Sequence, residues 1–275
     1  MLCGCASAPT VAPAVVLELS PYVGRLLTID VALGGITLQM LFDTGAGLTL
    51  VTPAAADRLG CQPAGRTVGW RMSGERVDFP LCDGMELALG SSRHQLPAYG
   101  IIDLDSVLPA GPPRLDGVLG IDAFREGCLL LELGARRLQV SDAPCDASVG
   151  AGWTDVPMRV ATGVDGATAV LFLGVSAARG RTLWLELDSG NLDSVLLSPD
   201  AAAALELPTD AQDATVSLVL GTLATAPLPV ATRDLIHEGA LNAEFLERHD
   251  VRIDLGSRRA WLRRHRSTTG SPVTQ

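Results

Sequence analysis

Two short segments of the sequence place an aspartate beside a hydroxyl residue and a glycine. Asp43-Thr44-Gly45 follows one apolar run, and Asp188-Ser189-Gly190 follows another. The glycine permits a tight turn, and the hydroxyl can hydrogen-bond across to its counterpart. Two carboxyl groups within hydrogen-bond distance share one proton, so one acts as a base and the other as an acid. We therefore predict that Asp43 and Asp188 form a catalytic pair. The predicted supporting residues are Thr44, Gly45, Ser189 and Gly190.

The residues around these tripeptides also correspond. Thr37–Phe42 and Thr182–Leu187 are apolar runs of equal length, and each leads into its aspartate. Each tripeptide is then followed by a short apolar run and by Thr52-Pro53 or Ser198-Pro199, the pattern of a helix N-cap with proline at the first helical position. Because these features recur in the same order, we predict that one structural unit is present twice.

A second block recurs further along each half, at Gly117–Arg137 and Gly239–Arg259. It predicts a short helix, a strand and an arginine-containing turn into a last strand. We therefore expect two lobes joined near the turn at 150–152. The predicted divisions are a disordered N-terminal segment at 1–14, an N-terminal lobe at 15–145, a C-terminal lobe at 150–268 and a tail at 269–275.

Strands are predicted to dominate both lobes. Hydrophobic residues make up 47% of the chain but aromatic residues only 4%, with 29 glycines and 17 prolines, which favours turn-rich β structure. The predicted fold class is all-β, mainly β with short helices, in two pseudo-symmetric lobes. The predicted strands are 15–19, 26–33 and 37–42 in the first lobe and 167–175, 182–187 and 214–220 in the second.

The combined motifs resemble those of the retropepsin-like and pepsin-like aspartic peptidases, in a single-chain, two-lobed bacterial form. Leu41–Ala46 with Gly117–Gly120 is similar to one copy of the family's pattern, and Leu187–Gly190 is similar to the other. The resemblance implies a bilobal pepsin-like aspartic protease fold with the two aspartates facing each other across a cleft. It implies an aspartic endopeptidase whose paired carboxyls activate a water molecule, with a peptide or protein substrate and no cofactor or metal.

Two positions depart from the family's pattern. Asn242 stands where Gly120 stands in the first copy, and Ser189 replaces the commoner threonine. Asparagine accepts unusual backbone angles more readily than most residues, so the first change is compatible with the fold. Neither change removes a carboxylate.

A flap over the cleft is also implied by the resemblance. Val68–Val77 has the pattern of a hairpin with Ser73-Gly74 near its tip, and we expect Trp70 or Met72 to touch substrate. The alternative is an ordinary surface hairpin. The matching part of the second lobe, Leu207–Ala214, contains no glycine, which predicts one flap rather than two. The predicted flap and substrate residues are Gly69, Trp70, Met72, Ser73 and Gly74.

Charge and cysteine spacing restrict the partners. The net charge of −10 argues against a nucleic-acid or anionic-membrane surface, because phosphate binding needs clustered basic side chains. No apolar run approaches the roughly 18 residues of a membrane span. The cysteines lack the spacing of a zinc site. We expect a monomer without nucleic acid. Two disulfides or free buried thiols both suit the remaining four cysteines, Cys61, Cys82, Cys128 and Cys145.

The N-terminus supports two hypotheses. Leu2–Cys5, followed by small residues, resembles the lipobox of bacterial lipoprotein precursors, with Cys5 as the lipidated residue. A signal peptide needs a charged stretch and an apolar segment upstream, which the residues before Cys5 do not supply. The first hypothesis is a longer precursor and a lipid-anchored periplasmic domain tethered to the membrane. The second is an ordinary disordered N-terminus, with a cytoplasmic location if the N-terminus is as given.

Two other functions compete with peptide hydrolysis. A catalytically silent protein with the same fold would use the cleft to bind a peptide or glycan, but a pure binder has little reason to keep two close carboxyls. A glycosidase would also use two carboxyls. Glycosidases usually draw on glutamate and on aromatic sugar platforms, and this chain has few aromatic residues.

Overall fold

The computed structural model describes residues 14–106, 108, 111–146, 150–163 and 166–266. Strands are the main element throughout this part of the chain, and each of its three α-helices has six residues. The predicted all-β class with short helices is confirmed. The predicted tether and lipidation site at Cys5 lie outside the described residues.

Among its described residues, the first half of the chain contains thirteen strands, one α-helix and three 3-10 turns. The 3-10 turns span Leu104–Ser106, Ile121–Phe124 and Leu133–Ala135. The other elements are β1 (Val15–Glu18), β2 (Ser20–Pro21), β3 (Leu27–Leu33), β4 (Ile36–Phe42), β5 (Leu50–Val51), α1 (Pro53–Arg58), β6 (Gly65–Trp70), β7 (Arg76–Asp83), β8 (Glu86–Leu89), β9 (Ser92–Gln95), β10 (Ala98–Ile101), β11 (Gly117–Leu119), β12 (Cys128–Glu132) and β13 (Arg137–Ser141).

The second half contains twelve strands and two α-helices within the described residues, with a 3-10 turn at Ala178–Gly180. These elements are β14 (Thr154–Val156), β15 (Met158–Thr162), β16 (Ala169–Ser176), β17 (Thr182–Leu187), β18 (Val195–Leu197), α2 (Pro199–Ala204), β19 (Ala214–Val216), β20 (Val219–Leu220), β21 (Leu223–Ala224), β22 (Leu228–Thr232), β23 (Gly239–Leu241), α3 (Ala243–Arg248), β24 (His249–Asp254) and β25 (Arg259–Arg264).

The strands form three sheets. The sheet of the first lobe has the order β6-β7-β10-β5-β11-β4-β3-β8-β9, with β2 on β3. The sheet of the second lobe has the order β19-β22-β18-β23-β17-β16-β20-β21, with β15 on β16. A third sheet, β1-β13-β12-β24-β25-β14, takes strands from both halves and so joins the lobes. In its central strand pair, β12 and β24, Leu130 lies opposite Arg252.

The same connection occurs in both lobe sheets around the predicted aspartates. In the first lobe, β11 runs parallel to β4 and antiparallel to β5. In the second, β23 runs parallel to β17 and antiparallel to β18. Each of these central strands is buried on both faces, which explains why it consists of apolar residues and glycine.

Both helices that follow the apolar runs begin where the Thr-Pro and Ser-Pro patterns predict. The hydroxyl of Thr52 accepts a hydrogen bond from the Ala55 N–H of α1 at 3.3 Å. The hydroxyl of Ser198 accepts from the Ala201 N–H of α2 at 3.2 Å. Proline at the first helical position has no N–H to leave unsatisfied, so each strand end passes directly into a short helix.

One predicted strand is wrong. The run at 214–220 divides into β19, which pairs with β22, and β20, which pairs with β16. Between them the chain turns, because Thr225 holds Leu218 through two hydrogen bonds, one to its hydroxyl (3.0 Å) and one from its N–H (2.8 Å).

Two disulfides resolve the alternatives left open for the cysteines. Cys61–Cys82 links the segment before β6 to β7, and Cys128–Cys145 links the start of β12 to the segment after β13. The first bond fastens the base of the β6–β7 hairpin. No helix among the described residues is long and apolar enough to cross a membrane.

Candidate active site

Asp43 and Asp188 each follow a buried strand and are held by the neighbouring parallel strand. The Asp43 N–H donates to the Leu119 carbonyl at the end of β11, at 3.1 Å, and the Asp188 N–H donates to the Leu241 carbonyl at the end of β23, at 3.0 Å. The parallel pairing of each crossing strand thus continues for one residue beyond the strand and fixes the backbone of its aspartate.

The two carboxyl groups meet between the lobes, where one backbone N–H donates to both. The Gly190 N–H donates to Asp43 Oδ1 at 3.1 Å and to Asp188 Oδ1 at 2.9 Å. The Gly45 N–H donates to Asp43 Oδ1 at 2.9 Å. A Cβ atom on Gly45 would lie 2.5 Å from Asp188 Oδ1, and one on Gly190 would lie 2.6 Å from Asp43 Oδ2. The glycines are therefore required by the close approach of the opposite carboxyl.

Thr44 and Ser189 lock the two strand ends together. The hydroxyl of Thr44 accepts from the Ser189 N–H (3.0 Å) and donates to the Leu187 carbonyl (2.7 Å). The hydroxyl of Ser189 accepts from the Thr44 N–H (2.9 Å) and donates to the Phe42 carbonyl (3.3 Å). Both side chains are buried, so every donor and acceptor in this exchange depends on its partner.

Burial and mutual charge shift the titration of the pair. Burial raises the pKa of Asp43, while N–H donors and the hydrogen bond with Asp188 oppose the rise. The pKa of Asp188 is raised well above its usual value by burial first and then by the negative charges of Asp43 and Glu186. Two such groups titrate as a unit, so the shared proton belongs to the pair. The arrangement provides an acid and a base side by side.

Asn242 has a different role from the predicted one. Its backbone is ordinary and extended, with φ −100° and ψ 178°, so tolerance of unusual angles is not the reason for asparagine. Its side chain is the N-cap of α3, accepting from the Phe245 N–H at 3.0 Å and donating to the Asp193 carbonyl at 2.6 Å. Gly120 cannot carry a side chain, because a Cβ there would lie 2.5 Å from the Ala46 carbonyl oxygen.

The hairpin at Val68–Val77 is present, with Trp70 of β6 opposite Arg76 of β7. Gly74 closes its turn with φ +83°, which suits glycine. The Met72 carbonyl accepts from the Ile236 N–H of the second lobe at 3.0 Å, so the tip reaches across to the other lobe. Trp70 is 61% exposed. No second hairpin occurs between α2 and β19, where the chain has no strand from 205 to 213.

The remaining predicted flap residues lie at the turn or in β6. Ser73 accepts a weak hydrogen bond from the Glu75 N–H at 3.5 Å within the turn. Gly69 lies on the inner face of the hairpin, where a Cβ would be 2.8 Å from the ring of Phe79. The glycine therefore makes room for that ring. Contact of Trp70 or Met72 with a substrate stays a prediction.

The sequence analysis missed one residue of the site, Glu186. This carboxyl lies two residues before Asp188 on β17 and is 5% exposed. Its pKa is raised to about 8, first by burial and then by the charge of Asp43. The available signal was an acidic residue within an otherwise apolar run, at the position where the first lobe has Leu41.

Comparison with known proteins shows one family match and many similar folds. The aspartyl protease family model matches residues 29–123, which include Asp43 and the crossing strand β11. Searching curated proteins with the sequence gives no significant match. Solved structures match over nearly the whole chain at low sequence identity, which bears on the fold alone.

Three of these structures are two globulins and one proteinase by name. Basic 7S globulin from soybean is 14% identical with a TM-score of 0.56, covering 94% of this chain and 97% of its own. Aspartic proteinase from Irpex lacteus is 11% identical with a TM-score of 0.54, covering 94% and 100%. Conglutin gamma, a basic 7S globulin from lupine seeds, is 12% identical with a TM-score of 0.55, covering 91% and 94%.

The predicted bilobal pepsin-like fold is confirmed. The similarity to the aspartyl protease family at the level of sequence covers residues 29–123. The family match supports a peptidase-like function. Since proteins named as globulins and a protein named as a proteinase share the fold, the fold alone does not distinguish catalysis from binding.

Proposed function

We propose that the protein is an aspartic endopeptidase that hydrolyses peptide bonds with a water molecule activated by Asp43 and Asp188. The single observation that carries the proposal is the close approach of the two carboxyls between the lobes, where the Gly190 N–H donates to both. Within the pair, the ionised carboxyl takes a proton from water as the water attacks the peptide carbonyl. The protonated carboxyl donates to the carbonyl oxygen, and the leaving nitrogen is protonated as the tetrahedral intermediate collapses.

Three exposed apolar side chains support an extended peptide as the substrate. Trp70, Leu192 and Ile236 are large hydrophobic side chains with exposed fractions of 61%, 42% and 49%. Trp70 precedes the flap tip, Ile236 hydrogen-bonds to that tip, and Leu192 follows the second aspartate by four residues. Exposed apolar groups around a polar centre are typical of binding sites.

The test is cleavage of a peptide library by the parent protein across pH 3 to 7, compared with Asp43→Asn and Asp188→Asn. Thermal unfolding of each variant checks that it is folded. We expect cleavage by the parent only. Cleavage by either variant at the parent rate would end the proposal.

A binding protein without catalysis is the second candidate, because two of the similar structures are globulins by name. A folded parent that binds library peptides in a cleft-dependent manner but cleaves none would favour this candidate. The exposed control Asp30→Asn leaves both properties unchanged under either function.

We also propose that the protein works in an oxidising compartment such as the bacterial periplasm. The two disulfides support this location, since such bonds persist mainly outside the reducing cytoplasm. Tethering through Cys5 is tested by mass spectrometry of the membrane fraction after expression from an extended reading frame. An acylated Cys5 peptide supports the tether, and a purely soluble, unmodified product contradicts it.

A further inference from the structure

Glu186 faces the same side of β17 as the second aspartate. Leu183, Leu185 and Leu187 are fully buried in the core of the lobe. Because side chains alternate along a strand, Glu186 and the aspartate that follows β17 lie on the opposite face. Glu186 lies two residues before Asp188 on this face, and Asp188 shares the Gly190 N–H with Asp43, so the three carboxyls lie in one region.

The carboxyl of Glu186 has no partner. Within the described ranges, it takes part in no hydrogen bond and no ion pair. The fully enclosed side-chain atoms that lack a partner there belong to Asp122, Arg125 and Arg137. The Glu186 carboxyl is not among them, so it keeps a small contact with solvent although the residue is only 5% exposed. A buried acid without a partner is costly unless a ligand supplies one.

The first lobe has no acid at the corresponding position. Leu41 lies two residues before Asp43 on β4 and is 5% exposed. It packs in an apolar cluster that includes Leu48 and Val118. The two sides of the carboxyl pair therefore differ in chemistry, with an apolar side chain on one side and an ionisable one on the other.

The walls beside Glu186 suit a long side chain. Phe172 of β16 lies directly opposite Glu186, and the ring of His237 meets Phe172 edge-on at 5.1 Å between centroids. Further along the strand, the guanidinium of Arg159 lies 3.8 Å from the centre of the Trp184 ring. A cavity of about 590 Å³ is lined by these groups and lies next to Glu186 on the same face of the sheet.

We propose that Glu186 determines specificity by taking the lysine or arginine side chain of a peptide substrate on the second-lobe side of the carboxyl pair. This inference rests on the proposed peptidase function. The cation pairs with the Glu186 carboxylate, and a guanidinium can meet that carboxylate with two parallel hydrogen bonds. Leu41 makes the opposite side suitable for an apolar side chain. When the cation enters, the proton held by Glu186 passes to solvent.

The experiment compares two peptides that differ only at one position beside the scissile bond, arginine in one and citrulline in the other. Citrulline has nearly the same shape without the charge. We expect the parent to prefer arginine by at least about tenfold in kcat/KM, since a site built for a polar partner rejects an analogue that lacks it. We expect Glu186→Gln to bring the ratio of kcat/KM for the arginine peptide to that for the citrulline peptide close to one. Because the ratio compares two substrates on one enzyme, any general effect on the carboxyl pair cancels.

Two further variants sharpen the test. Glu186→Leu copies Leu41 and shifts preference from arginine to leucine at the same substrate position. Asp193→Asn removes an exposed acid near the second aspartate and keeps the parent ratio. A parent ratio near one, or an unchanged ratio in Glu186→Gln, overturns the inference.

Binding separates this inference from the proposed function. If a folded parent cleaves no peptide, the peptidase proposal fails, and the two peptides are then compared by calorimetric titration. Tighter binding of the arginine peptide that disappears in Glu186→Gln supports the cation site by itself. Equal binding of both peptides to the parent contradicts it.

Discussion

Thr44 and Ser189 exchange equivalent hydrogen bonds between the two lobes. Each hydroxyl accepts from the other residue's backbone N–H, at 3.0 and 2.9 Å, and donates to the carbonyl of a residue just before the opposite aspartate. The two exposed fractions are 1% and 5%, so water does not replace these bonds. The exchange fixes the distance between the strands that carry the aspartates.

Removing either hydroxyl leaves a buried N–H and a buried carbonyl without partners. We expect Thr44→Val and Ser189→Ala each to lower the free energy of unfolding by about 1–3 kcal/mol. Ser189→Thr restores the hydroxyl and stays within about 1 kcal/mol of the parent. Urea denaturation measures these changes. Equal stability of Thr44→Val and the parent would show that the exchange contributes little.

The two glycines beside the carboxyls provide a steric prediction. Gly190→Ala places a methyl group 2.6 Å from Asp43 Oδ2 and moves that carboxyl, so we expect kcat to fall about a hundredfold or more. Gly65→Ala is the control, because a Cβ at that position meets no atom within 4 Å. Steady-state kinetics on one peptide substrate measures both variants. Full activity of Gly190→Ala would contradict the described close approach.

Glu186 provides a prediction about pH and stability. Its pKa is raised from an ordinary 4.5 to about 8, so the folded protein holds a proton that the unfolded chain has released between these values. The stabilisation is complete below about pH 4.5 and is lost as the pH rises through about 8. The expected contribution to the slope is about 1.4 kcal/mol per pH unit.

Glu186→Gln removes this contribution, so its unfolding free energy falls less steeply with pH than that of the parent. Denaturant unfolding at pH 5, 6, 7 and 8 measures the difference. Identical slopes for the two proteins would mean that the carboxyl is not held neutral by burial.

The Cys61–Cys82 bond closes a 21-residue separation and fastens the base of the β6–β7 hairpin, the predicted flap. We expect the double change to serine to lower the unfolding free energy by about 2–4 kcal/mol. It also loosens the hairpin whose tip hydrogen-bonds to Ile236, so KM rises more than kcat falls. The Cys128–Cys145 double variant is the control for loss of a disulfide away from the flap, and its KM stays close to the parent value.

The placement of the carboxyl pair could be predicted because its signals are local and occur twice. Asp43 and Asp188 end apolar runs, and Thr52 and Ser198 mark helix starts by hydroxyl and proline alone. Asn242 carried a local signal as well, since asparagine before a short helix is a common N-cap. The comparison with Gly120 drew attention to its backbone angles instead of to its side chain.

Long-range contacts could not be predicted in the same way. The break in the run at 214–220 depends on Thr225, and the docking of the flap depends on a bond between Met72 and Ile236. The sequence indicates only that Glu186 lies in a strand. Its position near the carboxyl pair depends on the folded lobes. In each case the interacting residue is either distant in the sequence or comes close only when the two lobes assemble.

The measurement that tests the central claim most directly is a double-mutant cycle on the carboxyl pair. Single variants Asp43→Asn and Asp188→Asn and the double variant are compared with the parent by kcat on one cleaved peptide. We predict that each single variant loses about 10²–10⁴-fold and that the double variant loses no more than the worse single variant, because the two groups act as a unit. Losses that multiply in the double variant, or a single variant that keeps the parent rate, would contradict the account.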